Sequence, residues 1–369
     1  MKKTISLLFA GILAALLLSV CLLPQRTFSD MENRSLQQFP APTLNGVRSR
    51  EWMDQMESWL ADQFPGRTLF VRTKASLDYL LGKRDLHDAY IGRDGRLFEV
   101  FDAQPDEAQL NKNIVYLQDF LSGTQRTAYF LPVYSAFTIY PEQLPAGAQE
   151  PDERSILTAL NLPKSTILAD PYDALLANRD DDLYFRTDHH WTQRGAYEAY
   201  LAFCRAAGFA PVTEYQQTQS PNPFYGSLFS QAPLWGTKPD EMSLYEIPVS
   251  VKVTYDGEKE TSSLYEPDAL NKKDQYTAFL DGNHALVRIE SNAGTGKELI
   301  LFKDSFAHAL VPFLSQHYDV ITMVDLRYYN RPLNQLLAEQ PDAELLLTYN
   351  LSWMAKDTNL IKLKTAAVR

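Results

Sequence analysis

The apolar run Leu299-Ile300-Leu301-Phe302 gives way, across Lys303-Asp304-Ser305, to apolar residues at Ala307, Leu310, Val311 and Leu314. An unbroken run of that length is what a strand buried on both faces requires, and the spacing that follows is that of a helix face. A strand feeding straight into a helix commits this part of the chain to an α/β arrangement and lodges Ser305 at the junction. There the N–H groups and dipole of the following helix favour negative charge developing beside the hydroxyl. The position suits a nucleophile with an oxyanion site.

Helix and strand alternate elsewhere too. A helix is expected near 108–121, strands at 127–133 and 165–169, and a helix at 172–177. Thr192 is a good N-cap, and Ala196, Tyr197, Tyr200, Leu201, Cys204 and Ala207 after it make one helix face. Near the C-terminus the pattern predicts a strand at 320–324, a helix at 332–339 and a strand at 345–348. From about 211 to 296 the rhythm lapses into a Gln-, Pro-, Ser- and Asn-rich stretch with candidate strands at 249–255 and 285–289. This reads as a β-rich insertion that covers or flanks the site, or as inert padding.

Lys2 and Lys3 precede an uncharged segment from Ile5 to Leu23, long enough to span a bilayer core of about 30 Å. Residues 1–24 are therefore expected to be an export signal, either an uncleaved anchor or a peptide cleaved near Ser19-Val20-Cys21, with the rest outside the membrane. Residues 25–85 read as a linker and helical arm broken at Phe64-Pro65-Gly66, and 86–369 as the α/β domain. Arg93-Asp94-Gly95 between Tyr90-Ile91-Gly92 and Arg96-Leu97-Phe98 predicts a hairpin. Acidic residues outnumber Lys+Arg by 46 to 35, which argues against nucleic acid as a partner. Two cysteines exclude a disulfide framework and a thiolate metal site.

The second chemical stretch is Thr187-Asp188-His189-His190-Trp191. Asp188 and His190 are one residue apart, so in an extended or turn segment both side chains lie on one side of the backbone, where a carboxylate fixes an imidazole. With Ser305 they supply an acid, a base and a nucleophile. His189 would project elsewhere, in a supporting or surface role, and neighbouring histidines rarely converge on one metal ion. Trp191 is expected in the core or as a sugar platform. Asp304 is expected to hydrogen-bond the turn beside the nucleophile. Ser305, Arg327 and Asn350 all follow strand ends and would share one rim of the sheet. The Arg327 guanidinium suits an acidic sugar or a carbonyl, or pairing with Asp325, and Tyr328 beside it suits a carbohydrate face.

The stretch Asp188-His189-His190-Trp191 spells the signature of the bacterial DHHW family, which is similar to the alginate O-acetyltransferase group of SGNH-hydrolase-like proteins. The resemblance extends through Glu32-Asn33-Arg34, Asp62-Gln63-Phe64-Pro65, the 91–98 hairpin, Tyr140-Pro141-Glu142-Gln143-Leu144-Pro145, Phe224-Tyr225-Gly226-Ser227, Lys303-Asp304-Ser305-Phe306 and Asp325-Leu326-Arg327-Tyr328-Tyr329. It implies a layered parallel sheet with helices on both faces, in a circularly permuted motif order, and assigns Asp188, His190 and Ser305 the triad roles. It further implies an extracytoplasmic O-acetyltransferase acting on a cell-envelope or secreted polysaccharide, with a membrane-bound O-acyltransferase as acyl donor and no cofactor or metal. An acetylesterase with the same triad, or a non-catalytic polysaccharide-binding or scaffold subunit, are the alternatives. Lys303 stands where many relatives have glycine, which predicts a looser turn around the serine.

Overall fold

The computed structural model describes residues 2–101 and 106–366, apart from the side chains of Lys2, Lys3, Leu13, Leu17 and Cys21. The expectations resting on Lys2, Lys3 and Cys21 lie outside the described side chains. The chain forms two compact units, Met1–His87 with Phe229–Thr237, and Asp88–Leu228 with Lys238–Arg369.

The first unit contains helices Lys2–Leu22, Leu44–Arg48, Glu51–Gln63 and Arg67–Leu80. Among the described residues no helix is long and apolar enough to cross a membrane. The break expected at Phe64-Pro65-Gly66 separates the last two helices, with Gly66 in the left-handed region at φ 71°. Two motifs meet across it. Arg34 bonds Asp62 through both terminal nitrogens at 2.9 and 2.6 Å, and Arg34 and Arg67 hold Glu32 at 2.9 and 2.8 Å.

In the second unit, eight strands among the described residues form one sheet. They are β1 (Ala128–Val133), β2 (Thr166–Leu168), β3 (Val251–Tyr255), β4 (Lys259–Thr261), β5 (Leu286–Ser291), β6 (Glu298–Lys303), β7 (Val320–Val324) and β8 (Glu344–Asn350). Their order across the sheet is β4-β3-β5-β7-β6-β8-β1-β2. From β7 to β2 all pairs are parallel, whereas β5 runs antiparallel to β7, and β3 and β4 extend the sheet antiparallel again. The layered parallel sheet expected from the resemblance is therefore corrected to a mixed one. The irregular stretch before β6 supplies the antiparallel strands: a three-residue turn joins β3 to β4, and the longer segment between β4 and β5 holds only short 3-10 turns, with no crossover α-helix to return the chain parallel.

The helices that matter for the site are α1 (Glu107–Gly123), α2 (Gln193–Ala207), α3 (Ala307–Leu314) and α4 (Leu333–Glu339). Phe302 of β6 is in register with Leu347 of β8, and Leu347 with Phe130 of β1. Paired residues share a face of the sheet and sequence neighbours point oppositely, so Phe302 and Tyr129 face opposite sides. Phe302 meets Phe120 of α1 at 5.4 Å, and Tyr129 meets Phe203 of α2 at 5.1 Å. Helices therefore cover both faces. Helix α3 packs on α2 through Phe313 against Tyr200 and Tyr197.

Strand β6 is the point of reversal. The chain leaves it through α3 for β7 on one side, then passes through α4 to β8 on the other. At such a switch the two crossovers splay apart on opposite faces and leave a crevice beyond the strand ends. Ser305 sits two residues past the end of β6.

Candidate active site

The segment that carries Asp188 and His190 is a closed loop. Tyr184 and Trp191 form an antiparallel bridge, Thr192 N–H donates to Leu183 O at 2.9 Å, and Thr192 then caps α2 by accepting from Gly195 N–H at 3.2 Å. Buried Arg96, from the hairpin, braces this loop by donating to Tyr184 O and Phe185 O at 3.0 Å each and to Gln143 at 2.9 Å. On its other side buried Asp240 accepts from Arg186 and Thr187 N–H at 2.7 and 2.8 Å. Burial raises the Asp240 pKa against these hydrogen bonds.

Within the loop Asp188 Oδ1 accepts from its near neighbour His190, N–H at 3.0 Å and Nδ1 at 2.7 Å, while Oδ2 accepts from Ser227 N–H at 2.7 Å. Burial pushes the carboxyl up, but the His189 and His190 imidazoles and the hydrogen bonds from His190 and Ser227 outweigh it and hold Asp188 well below the usual carboxylate range. Asp188 is thus an anion fixed to one imidazole nitrogen. The other nitrogen, Nε2, lies 2.7 Å from Ser305 Oγ, across 115 positions of sequence. The structure brings Asp188, His190 and Ser305 into one hydrogen-bonded line.

The imidazole is also held by its faces. Tyr276 stacks on it at 3.8 Å with the planes 8° apart, and the His189 ring lies 3.8 Å away at a 36° tilt. Two rings at that distance cannot occupy the same face, so His190 is clasped between them. The Tyr276 hydroxyl donates to Ser305 O at 3.1 Å, linking the stack to the Ser305 backbone. His189 Nδ1 bonds Ser227 Oγ at 2.9 Å, and burial together with the neighbouring His190 lowers its pKa. Donor atoms of Asp188, His189 and His190 lie within 4.8 Å of one another, the spacing of a metal-ligand set. Two of them are already spent on each other, Asp188 Oδ1 and His190 Nδ1.

On the serine side, Asp304 Oδ1 accepts from Phe306 N–H at 3.0 Å and Oδ2 from Asn350 N–H at 2.6 Å, so the residue knits the turn to the end of β8. Burial pushes its pKa up to about 6, against the Asn350 N–H and the Arg327 charge. The looser turn expected from Lys303 is not what the structure builds. Lys303 is buried, with Nζ 2.9 Å from Asp325 and 2.7 Å from His308 Nε2, and it ties strand β6, the end of β7 and the first turn of α3 together. Burial lowers the Lys303 pKa while Asp325 raises it, and burial with the Lys303 charge depresses His308 well below its ordinary value. A neutral His308 accepts from the ammonium.

Two of the rim residues, and Trp191 with them, have other work. Arg327 bonds Asp325 at 2.9 and 2.6 Å and Asn283 at 3.1 Å, which makes it a partner of the buried carboxylate that Lys303 also uses. Asn350 is buried, its amide donating to Ser135 at 2.8 Å and its oxygen capping the next helix through Trp353 N–H, so neither end is free for an oxyanion. Trp191 is fully buried with Nε1 donating to Phe306 O at 2.9 Å; of core and sugar platform, the structure builds the core residue. Tyr328 is about half exposed beside Arg327, 5.4 Å from its guanidinium.

Residues missed in the sequence come from the irregular stretch. Tyr276 carried no signal, since a tyrosine among twenty in a region of lost periodicity looks like any other. Gly226 and Ser227 were visible only as part of Phe224-Tyr225-Gly226-Ser227. A Cβ at Gly226 would fall 2.3 Å from Asp188 Cβ and 2.5 Å from Oδ2, so only glycine permits the loop to close on the carboxylate.

The family model described as DHHW protein matches residues 161–324, which includes the Asp188 loop, Gly226 and Tyr276 and Ser305. No curated protein matches this chain. Among solved structures it is similar to a DHHW family protein from Eubacterium siraeum, with 24% identity and a TM-score of 0.62, covering 75% of this chain and 94% of that one. It is similar also to Bacillus cereus PatB1, solved with a sulfonyl adduct, at 20% identity and a TM-score of 0.59, covering 74% and 97%. A more distant likeness is to the O-acetyltransferase domain of Pseudomonas putida AlgJ, at 14% identity and a TM-score of 0.45, covering 76% and 100%.

Proposed function

We propose that this DHHW protein is an O-acyltransferase that forms an acyl-enzyme on Ser305. The observation that carries the reading is the continuous line from Asp188 Oδ1 through His190 to Ser305 Oγ, with both links at 2.7 Å. Asp188 accepts from Nδ1–H and so leaves Nε2 unprotonated, the tautomer that takes the serine proton as Oγ attacks an acyl carbonyl. The imidazolium so formed faces an anion whose proton affinity is already low. It passes the proton to the departing group as the acyl–donor bond breaks; the same nitrogen then takes a proton from the incoming hydroxyl that attacks the ester and returns it to Oγ as the acyl–serine bond breaks. The backbone N–H of Ser305, at the head of α3, is the oxyanion donor this turn supplies.

The motif resemblance to the alginate O-acetyltransferase group supports acetyl as the group and a cell-envelope or secreted polysaccharide as acceptor. It supports equally a membrane-bound O-acyltransferase as the donor, a permuted SGNH arrangement with the 211–296 stretch as its insertion, and Tyr328 as a residue at the carbohydrate face. The uncharged segment Ile5–Leu23 behind Lys2 and Lys3 supports an export signal with this domain outside the cell membrane. The test is an activated acetyl ester with and without oligosaccharide acceptors. Acetyl transferred to the acceptor in wild type and lost in Ser305→Ala is the expected result. Hydrolysis alone selects an acetylesterase, and equal turnover in Ser305→Ala removes the acyl-enzyme.

A further inference from the structure

The helix Arg67–Leu80 in the first unit leaves an arc of large apolar side chains exposed. Ala75 is buried, Ser76 Oγ accepts from Trp235 N–H at 2.9 Å, and Arg72 stacks on the Trp235 ring at 4.0 Å, so this face packs on its own unit. Beside that face lie Leu69, Phe70, Leu77, Leu80 and, just past the helix, Leu81, each between 53% and 85% exposed, with Thr73 among them accepting from Trp235 Nε1–H at 3.4 Å. Their spacing follows the helical period, so they form one apolar stripe rather than scattered residues. A contiguous stripe of large side chains on an exported unit marks a surface that is covered by something.

Charge indicates what covers it. Residues 67–84 carry five basic side chains and one acidic, in a chain whose net charge is −11. Lys74, Lys83 and Arg84 are exposed at or beyond the last turns. A stripe of leucines flanked by lysine and arginine is the pattern of a helix lying in a membrane interface, apolar face among acyl chains and cations at anionic headgroups.

Position indicates the same. Four residues after the Lys2–Leu22 helix, Arg26 N–H donates to Gln63 Oε1 at 2.9 Å and the Arg26 guanidinium to Asp62 O at 3.1 Å. Arg67, the first residue of the amphipathic helix, holds Glu32 at 2.8 Å. The chain between Leu22 and Arg26 reaches at most about 14 Å, so a membrane held by the N-terminal helix comes within reach of the helix that begins beyond Gln63.

We propose that the Leu69-Phe70-Leu77-Leu80-Leu81 face is a membrane-docking surface that lies flat in the outer interface of an anionic bilayer. The proposal rests on the reading of the N-terminal segment as a membrane anchor. It gives the first unit a task of its own, to fix the protein against the lipid surface.

The full chain, with Cys21→Ala and Cys204→Ala, is labelled with an environment-sensitive fluorophore at Leu77→Cys or Leu81→Cys and reconstituted in phosphatidylcholine vesicles with and without phosphatidylglycerol. The expected result is blue-shifted emission that loses most of its intensity to spin-labelled lipid, more so with phosphatidylglycerol present. Water-like emission in protein that floats with the vesicles overturns the docking face and leaves the anchor standing. Blue-shifted emission insensitive to spin-labelled lipid overturns it too, because a protein or a second copy then covers the stripe. Protein that does not float overturns the anchor and the docking face together.

Discussion

Trp191 Nε1–H donates to Phe306 O at 2.9 Å, tying the residue after the imidazole to the residue after the serine hydroxyl. The bond is fully buried, and it fixes the separation of two loops that share no local sequence. The hydrogen bond between His190 and Ser305 is a consequence of that anchorage, reinforced by the Tyr276 hydroxyl on Ser305 O.

Ser305→Ala is expected to lower turnover of an activated acetyl ester by roughly 10⁴-fold or more, and Asp188→Asn by about 10⁴-fold, since the amide favours the wrong imidazole tautomer. Steady-state kinetics on both variants check this. A serine-directed sulfonyl fluoride should label wild type at Ser305, seen by peptide mass, and label Asp188→Asn far more slowly.

Gly226→Ala is expected to act at a distance from the serine. Its Cβ would collide with Asp188, and overpacking of this kind costs about 1–3 kcal/mol. Displacing the carboxylate by even about 1 Å should reduce kcat/KM by roughly 100-fold. Chemical denaturation and kinetics on the one variant measure both effects.

Tyr276→Phe keeps the ring on His190 and removes only the hydroxyl, with its bonds to Ser305 O at 3.1 Å and Phe306 O at 3.4 Å, a loss of about 1 kcal/mol. Its kcat/KM should stay near wild type, whereas Tyr276→Leu, which unclasps the imidazole, should fall by about 10-fold or more. A fall of equal size in both would assign the effect to the hydroxyl instead of the stack.

Asp304 makes the protein less stable as pH rises. Its folded pKa of about 6 lies above the ordinary carboxylate value, so between about pH 4 and 6 the folded state holds a proton that the unfolded chain has released. The contribution is full below that window and is lost through it, by about 3 kcal/mol. Denaturation midpoints across pH 4–7 should fall more steeply in wild type than in Asp304→Asn, the difference between the two curves being this contribution.

Lys303→Met should destabilise the second unit by about 3 kcal/mol, because it removes one of two cations from a fully buried Asp325 and the donor from His308. Thermal unfolding of the variant reads this directly.

The elements near the site were legible because their local patterns are strong. The Leu299 run became β6, the helical spacing after Ser305 became α3, and Thr192 caps α2 as its side chain suggests. The two candidate strands of the irregular stretch became β3 and β5, but their direction was not legible, since period-two alternation is the same in parallel and antiparallel strands. Arg327 and Asn350 were placed on the correct rim of the sheet. Rim position does not say where a side chain points, and buried Asp325 and the helix after β8 claimed them.

Lys303 shows the same limit from the other side. Read against a glycine it suggested slack, yet its four-carbon stem lets the ammonium reach a carboxylate from a different strand.

By itself the sequence determined that an aspartate and a histidine stand two positions apart, and that a serine sits where a strand becomes a helix. Those facts follow from side-chain identity and spacing within a few residues. The tertiary structure alone decided that His190 meets Ser305, that Tyr276 and His189 clasp the ring, and that Gly226 makes room for Asp188. These depend on the packing of segments 29 to 115 residues from Ser305 and 38 from Asp188, and no local periodicity encodes contacts at that range.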